Sequence, residues 1–150
     1  YWPQLFLGIT FNYGLILGWI SIRNSLDITP IIFYMGAIFW TLGYDTIYGF
    51  QDIKDDEIIG IKSTSIKFKK EPYKFLITCY LIFIICVLIT GVLMKFNNIF
   101  FMFLAIPTLH LIIYQIKNLN VNNPENCLKI FKSNNFFGFI IFINLLIGKF

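Results

Sequence analysis

Charge is what this 150-residue chain has least of. Asp, Glu, Lys and Arg make up 13% of it against 57% hydrophobic residues, too few polar side chains to clothe a soluble domain of this size. The net charge of +4 is small and sits in short stretches between apolar runs, and does not suggest a nucleic-acid surface. Cysteine is scarce too. Cys79, Cys86 and Cys127 have no metal-ligand spacing and are too few for a disulfide framework; inside an apolar run, Cys79 and Cys86 read as small packing residues. No Met and no basic segment precede the first apolar stretch, so no cleavable signal is visible. The abrupt start at Tyr1 leads us to expect further sequence upstream.

What is present in quantity is uncharged length. Residues 1–22, 28–44, 75–94, 96–116 and 133–148 contain no Asp, Glu, Lys or Arg. A helix needs about 20 residues to cross the hydrocarbon core, and backbone in lipid must bond within its own segment. The windows predict an all-α integral membrane fold with five transmembrane helices, over about 3–22, 28–44, 75–94, 97–116 and 133–149. The last is short, and Lys132 and Lys149 are expected to snorkel from its ends.

The connections differ in character. Residues 23–27 and the junction at Lys95 form tight hairpins, whereas 45–74 and 117–132 hold most of the charge. With five spans, those two loops and the N-terminus share one side, which carries Lys54, Lys62, Lys67, Lys69, Lys70, Lys74, Lys117, Lys129 and Lys132. The other side has Arg23, Lys95 and Lys149. The positive-inside rule puts the lysine-rich side in the cytoplasm, or in an organelle's matrix. Cys127 then offers a thiol handle on that side. Within the spans, Gly14 and Gly18 form a small-xxx-small pair for close helix approach, and Pro107 is expected to kink its helix. Asn12, His110 and Asn144 are intramembrane polar residues; His110 reads as an interhelical hydrogen bonder.

One stretch departs from this pattern. Residues 44–57, Tyr44-Asp45-Thr46-Ile47-Tyr48-Gly49-Phe50-Gln51-Asp52-Ile53-Lys54-Asp55-Asp56-Glu57, set five carboxylates against one lysine at a span end. On one continuous helix, Asp45, Asp52 and Asp56 fall within roughly 20° of a line, with Asp55 and Tyr48 beside it. Stacked carboxylates repel unless a cation sits among them or some hold protons. Mg²⁺ suits such a stripe, because it takes one or two carboxylates plus phosphate oxygens and water. Gly60-Ile61-Lys62-Ser63-Thr64-Ser65 follows, and its amides with Lys62 could grip a diphosphate from the other side. Lys67, Lys69, Lys70 and Lys74 read as topology signals; a positive-inside loop has no need of the five acids.

These words resemble the second aspartate-rich motif of the UbiA prenyltransferase superfamily, nearest to its 4-hydroxybenzoate polyprenyltransferase branch of ubiquinone biosynthesis. Trp2-Pro3-Gln4-Leu5, Thr10-Phe11-Asn12 and Gly18-Trp19 resemble that branch too. The specific motifs cover roughly residues 1–70, and 71–150 match as apolar helices. The resemblance implies a nine-helix bundle of which this chain is the C-terminal part, helices five to nine. It also implies Mg²⁺-dependent transfer of a polyprenyl group from its diphosphate to the ring of 4-hydroxybenzoate. Asp52 and Asp56 would hold the metal with Asp55 in support, Lys62 would steady the diphosphate, and Asp45 and Tyr48 would lie nearer the reacting carbon.

The implied partners are the polyprenyl diphosphate, 4-hydroxybenzoate, the lipid bilayer and the missing N-terminal four helices, with no nucleic acid. The implied location is a bacterial inner membrane, or the mitochondrial inner membrane in a eukaryote. The family's first motif, of Asn-Asp-x-x-Asp type, has no counterpart here. The expectation is therefore a fragment, a split gene product or a decayed gene, inactive by itself. Another acceptor, a non-catalytic divalent-cation-binding membrane segment and an inactive remnant are the alternatives.

Overall fold

Asp27 opens the central helix by accepting a hydrogen bond from the Thr29 amide at 2.8 Å, a side-chain cap that satisfies one of the orphan amides of a helix start. In the computed structural model, which describes residues 1–150, that helix is α3, Ile28–Gly49. Before it come α1, Pro3–Phe11, and α2, Gly14–Arg23; after it come α4, Ile53–Ile59, α5, Thr64–Lys67, and α6, Pro72–Leu93. Next are α7, Asn98–Phe103, α8, Ala105–Leu109, and a π-helical stretch, His110–Ile116. Two helices, α9, Pro124–Lys132, and α10, Asn134–Lys149, complete the all-helical chain.

These segments assemble into five long rods, four of which are long and apolar enough to cross a membrane: Pro3–Arg23, Pro72–Leu93, Asn98–Ile116 and Pro124–Lys149. The fifth is α3, which equals α6 in length at 22 residues but is more polar. The reason is its position. As the rod packed against α1, α6 and α9, it turns Thr41 and Thr46 inward, where they are buried. The last rod begins at Pro124 rather than 133. Its first nine residues form an amphipathic segment that buries Cys127 and Ile130 and leaves Lys129 and Lys132 at the border.

Packing follows the small residues of α3. A Cβ on Gly36 would lie 2.7 Å from Cys86 Cβ, and one on Gly43 2.6 Å from the Tyr80 ring. Seven residues apart, the two glycines face α6 together and let the two backbones approach, the role small residues play between membrane helices. Cys86 is thus a packing residue, and Cys79 and Cys127 are likewise buried. By contrast, a methyl group placed on Gly14 or Gly18 would meet no neighbour within 4 Å, so within this chain the pair mediates no helix approach.

Pro107 interrupts its rod as expected. The helix breaks at Leu104, three residues upstream, and widens into the π-helix downstream. Proline supplies no amide for the usual i−4 carbonyl, and the ladder re-forms around that gap. His110 does not form an interhelical hydrogen bond. Its Nδ1 is buried without a partner, and the ring stacks on Tyr114 with centroids 5.0 Å apart. The Asn144 amide is also buried and unpartnered, whereas Asn12 Nδ2 donates to Thr41 Oγ1 at 2.8 Å and ties α1 to α3.

Hydrogen bonds sort the connections into two ends. Gln4 meets Thr64, and Tyr73 Oη donates to the Leu119 carbonyl, so the N-terminus, residues 50–71 and residues 117–123 share one end. Asn97 Nδ2 donates to the Ile147 carbonyl, joining the 94–97 turn to the C-terminus at the other. The nine lysines fall at the first end, and the expectation that this end is cytoplasmic or matrix-facing rests on the positive-inside rule alone. Cys127 cannot report on this, because it is fully buried. Introduced thiols at exposed positions can: a membrane-impermeant maleimide applied to intact cells should label Ser25→Cys and spare Asn122→Cys. The reverse pattern would invert the topology.

Candidate functional site

The acidic segment does not continue as one helix. α3 ends at Gly49, Phe50 caps it, and α4 begins after Asp52. Across the break Phe50 stays buried, 3% exposed, and Ile53 packs on the same apolar cluster. The single stripe through Asp45, Asp52 and Asp56 is therefore corrected to two groups. Asp45 and Tyr48 belong to the last turns of α3. Asp52, Asp55 and Asp56 stand at i, i+3 and i+4 across the start of α4, one side of its first turn. There Asp55 and Asp56 also oppose the positive end of the helix dipole.

None of these four aspartates is neutralised within the chain. The two ion pairs are Lys69 with Glu57 and Lys74 with Glu71, so Asp45, Asp52, Asp55 and Asp56 lie outside both. No three acidic, histidine or cysteine side chains converge into a ready-made metal cage. Mg²⁺ does not require one, since it is commonly held by one or two carboxylates with phosphate oxygens and water. Hard oxygen donors outside any ion pair, exposed at Asp52 and Asp55 and half-buried at Asp45 and Asp56, fit that ion.

The turn carrying Lys62 is held by buried polar contacts that sequence reasoning missed. Gly60 ends α4 at φ 81°, a left-handed conformation glycine adopts without strain. Ser63 then caps α5. Thr64 and Ser65 are completely buried. The Thr64 amide donates to Gln4 Oε1 at 3.0 Å, the Thr46 and Thr64 hydroxyls are 2.6 Å apart, and Ser65 Oγ donates to the Thr46 carbonyl at 2.9 Å. Gly49 is small for the same reason, as a Cβ there would collide with Ser65 Oγ. The Thr64 amide is consequently engaged and is not a phosphate donor, which narrows the expected loop cradle to Lys62 and its neighbours. Lys62 itself is exposed, with Nζ 5.7 Å from the centre of the Tyr1 ring. Lys67 rests 4.2 Å over Trp2.

Aromatic side chains line the approach below the acids. Tyr48 packs against Phe131 of α9 with tilted rings and centroids 4.7 Å apart, Tyr44 tilts on the same ring at 5.8 Å, and Trp40 meets Tyr44 edge-on at 5.4 Å. Trp40 Nε1 donates to Asn134 Oδ1, which also accepts from Gln115 Nε2, while Gln115 Oε1 accepts from Tyr80 Oη. This buried network fixes Trp40 across four rods. From Trp40 an apolar cleft of about 220 Å³ runs along Phe33, Ala37 and Leu145. A second cleft of about 290 Å³ shares Leu15, Phe33 and Leu145 with it and ends at Trp19 and Phe96, near the far end of the bundle.

The family model described as "UbiA prenyltransferase family" matches residues 1–146. Among curated proteins, the 4-hydroxybenzoate polyprenyltransferase, mitochondrial, of Bos taurus is 40% identical over 150 residues, covering 99% of this chain and 40% of that protein. Its Homo sapiens namesake is 37% identical with the same coverage. The 4-hydroxybenzoate geranyltransferase 2 of Lithospermum erythrorhizon is 40% identical over 153 residues, covering 99% of this chain and 49% of that protein. The chain thus spans about 40% of the length of the first of these relatives. No solved structure matches.

Proposed function

This chain belongs to the UbiA prenyltransferase family, and from that premise we propose that it forms the acid-bearing part of a Mg²⁺-dependent 4-hydroxybenzoate polyprenyltransferase. One observation carries the reading: Asp45 at the end of α3 and Asp52, Asp55 and Asp56 at the start of α4 all lie outside the ion pairs, in a chain otherwise poor in charge. Such carboxylates are costly to keep together without a cation, and the relatives' printed names supply the reaction that a cation and an isoprenoid diphosphate would serve. Two of those relatives are named mitochondrial, which supports a site in the mitochondrial inner membrane if the source is a eukaryote; in a bacterium the inner membrane is its counterpart.

Asp52 and Asp56 would hold the metal, with Asp55 beside them, and Lys62 would bind diphosphate oxygens. A bound divalent cation supplies positive charge to the departing diphosphate. The allylic C–O bond breaks with its electron pair leaving on the diphosphate, and a ring carbon ortho to the phenol hydroxyl forms the new C–C bond. The ring proton is then lost and aromaticity returns. Asp45 and Tyr48, seven and four residues before Asp52 in the last turns of α3, would lie nearer the carbon that becomes cationic; a carboxylate and an aromatic face both favour positive charge there. The clefts from Trp40 to Trp19 offer apolar room for the isoprenoid tail.

The remaining helices of the bundle are part of the proposal, because these 150 residues span about 40% of the bovine relative. The test is an assay in membranes of a strain deleted for its own enzyme. The chain is supplied with the N-terminal four helices of a relative as a second polypeptide. Radiolabelled 4-hydroxybenzoate, a polyprenyl diphosphate and Mg²⁺ should yield a lipid-soluble product, abolished by a chelator and restored by Mg²⁺. Product from homogentisate or a naphthoate, with none from 4-hydroxybenzoate, would reassign the acceptor. Mg²⁺ binding without product from any acceptor would favour a non-catalytic role.

A further inference from the structure

Gln4 lies in α1, sixty residues before the turn it touches, and is 8% exposed. A buried carboxamide this far along the chain must have a partner, and the partner fixes its orientation. The Thr64 amide is a donor, so the group it meets at 3.0 Å is Oε1. That amide is the first of α5, one of the groups a helix start leaves unsatisfied. Gln4 therefore does the work of a cap from outside the helix, joining α1 to the turn that carries Lys62 two residues earlier.

The same turn is bonded to α3 at a single residue. Thr46 receives the Ser65 hydroxyl on its carbonyl and meets the Thr64 hydroxyl with its own, which also donates to the Leu42 carbonyl in part of that arrangement. Thr46 directly follows Asp45. Lys62 is thereby tied by short, buried links to the acid end of α3, although the two are seventeen residues apart in sequence. Lysine is a flexible point charge on a four-carbon stem, so what the fold can control is where its backbone stands. An unlatched turn of this length, beginning at a left-handed glycine, has many places to put it.

We propose that Gln4 is a positioning residue for diphosphate binding, acting through the Thr64 amide to fix the Lys62 turn against the end of α3. The inference rests on the assignment of Lys62 above. Thr46 and Ser65 complete the latch, and Gly49 makes the space for it. Gln4 itself touches no reacting atom, and its loss weakens the grip on diphosphate while leaving the chemical step at saturating substrate nearly unchanged.

Two measurements test this. Hydrogen exchange in the detergent-solubilised chain, read on a peptide covering residues 60–66, is independent of activity. Gln4→Leu, and the milder Ser65→Ala, should raise exchange there by about tenfold, the scale of one lost buried hydrogen bond, without loosening α6. Unchanged exchange in both variants would overturn the latch. In the two-polypeptide enzyme, Gln4→Leu should raise KM for the polyprenyl diphosphate about tenfold with kcat within about twofold. In a Lys62→Gln background the same change should add little, because two residues acting through one contact are not additive. Full additivity would overturn the positioning role alone. A Lys62→Gln enzyme with unaltered KM would overturn the Lys62 assignment and the proposal with it.

Discussion

In the two-polypeptide enzyme, Asp52→Asn and Asp56→Asn should each lower prenyl transfer about a hundredfold or more, while Lys67→Gln and Lys69→Gln change it less than about threefold. Asparagine keeps the shape of aspartate and removes its formal charge, so packing at the exposed start of α4 is preserved. What is lost is a hard anionic donor to the cation and, with it, positive charge at the departing diphosphate. The lysines differ in kind. Lys69 is half exposed and already paired with Glu57, and surface pairs of this sort contribute little. Lys67 is exposed, lies over the Trp2 ring and takes no part in the hydrogen bonds that hold the Lys62 turn. Transfer rates in parallel, with membrane content of each variant measured by immunoblot, decide the matter. Comparable losses from lysine and aspartate changes would mean that the acids are not the metal site.

The membrane character and the rod positions are legible in the sequence because they depend on local quantities. Uncharged windows near bilayer length identify helices one at a time, and the alternation of lysine-rich and lysine-poor connections orders them. The window 28–44 marks a helix but stops short of its charged end. α3 runs on to Gly49 because its polar residues face other rods: Thr41 receives the Asn12 amide, and Thr46 receives the α5 turn. A hydropathy profile takes such residues as a boundary.

The acidic segment shows the opposite failure. Helical periodicity aligns Asp45 with Asp52 and Asp56 only by assuming an unbroken helix. The backbone instead turns between Gly49 and Ile53, which takes Asp52 and Asp56 off the line of Asp45. No proline signals the break; its trace in the sequence is Gly49, whose missing side chain accommodates Ser65. Gln4, Thr64 and Ser65 are visible as words of a family motif. Their physical role is not, because long-range hydrogen bonds leave no periodic mark. The same holds for Trp40, Asn134, Gln115 and Tyr80, which come from four separate rods and meet only once those rods pack.

Expressed by themselves, residues 1–150 should insert into the membrane and yield no prenylated product, and supplying the N-terminal four helices of a relative should raise the yield from background. Insertion is a property of each span. Four helices here are long and apolar enough to cross by themselves, and the burial of about 20 apolar residues in lipid does not wait for the rest of a bundle. Catalysis has a different requirement. A diphosphate leaving group carries several negative charges, and the acids of α3 and α4 approach it from one side only. The clefts below Trp40 are open to their surroundings along α2 and α10, where Leu17, Phe139 and Phe142 are exposed. Water entering there weakens every electrostatic contact at the reacting carbon. Covering helices would close that side and bring the cationic and metal-binding partners that a one-sided site lacks. The comparison is of product formed with and without the second polypeptide, at equal membrane content of the first. Turnover by residues 1–150 without it, in a strain deleted for its own enzyme, would place the complete active site within these helices and overturn the two-sided site.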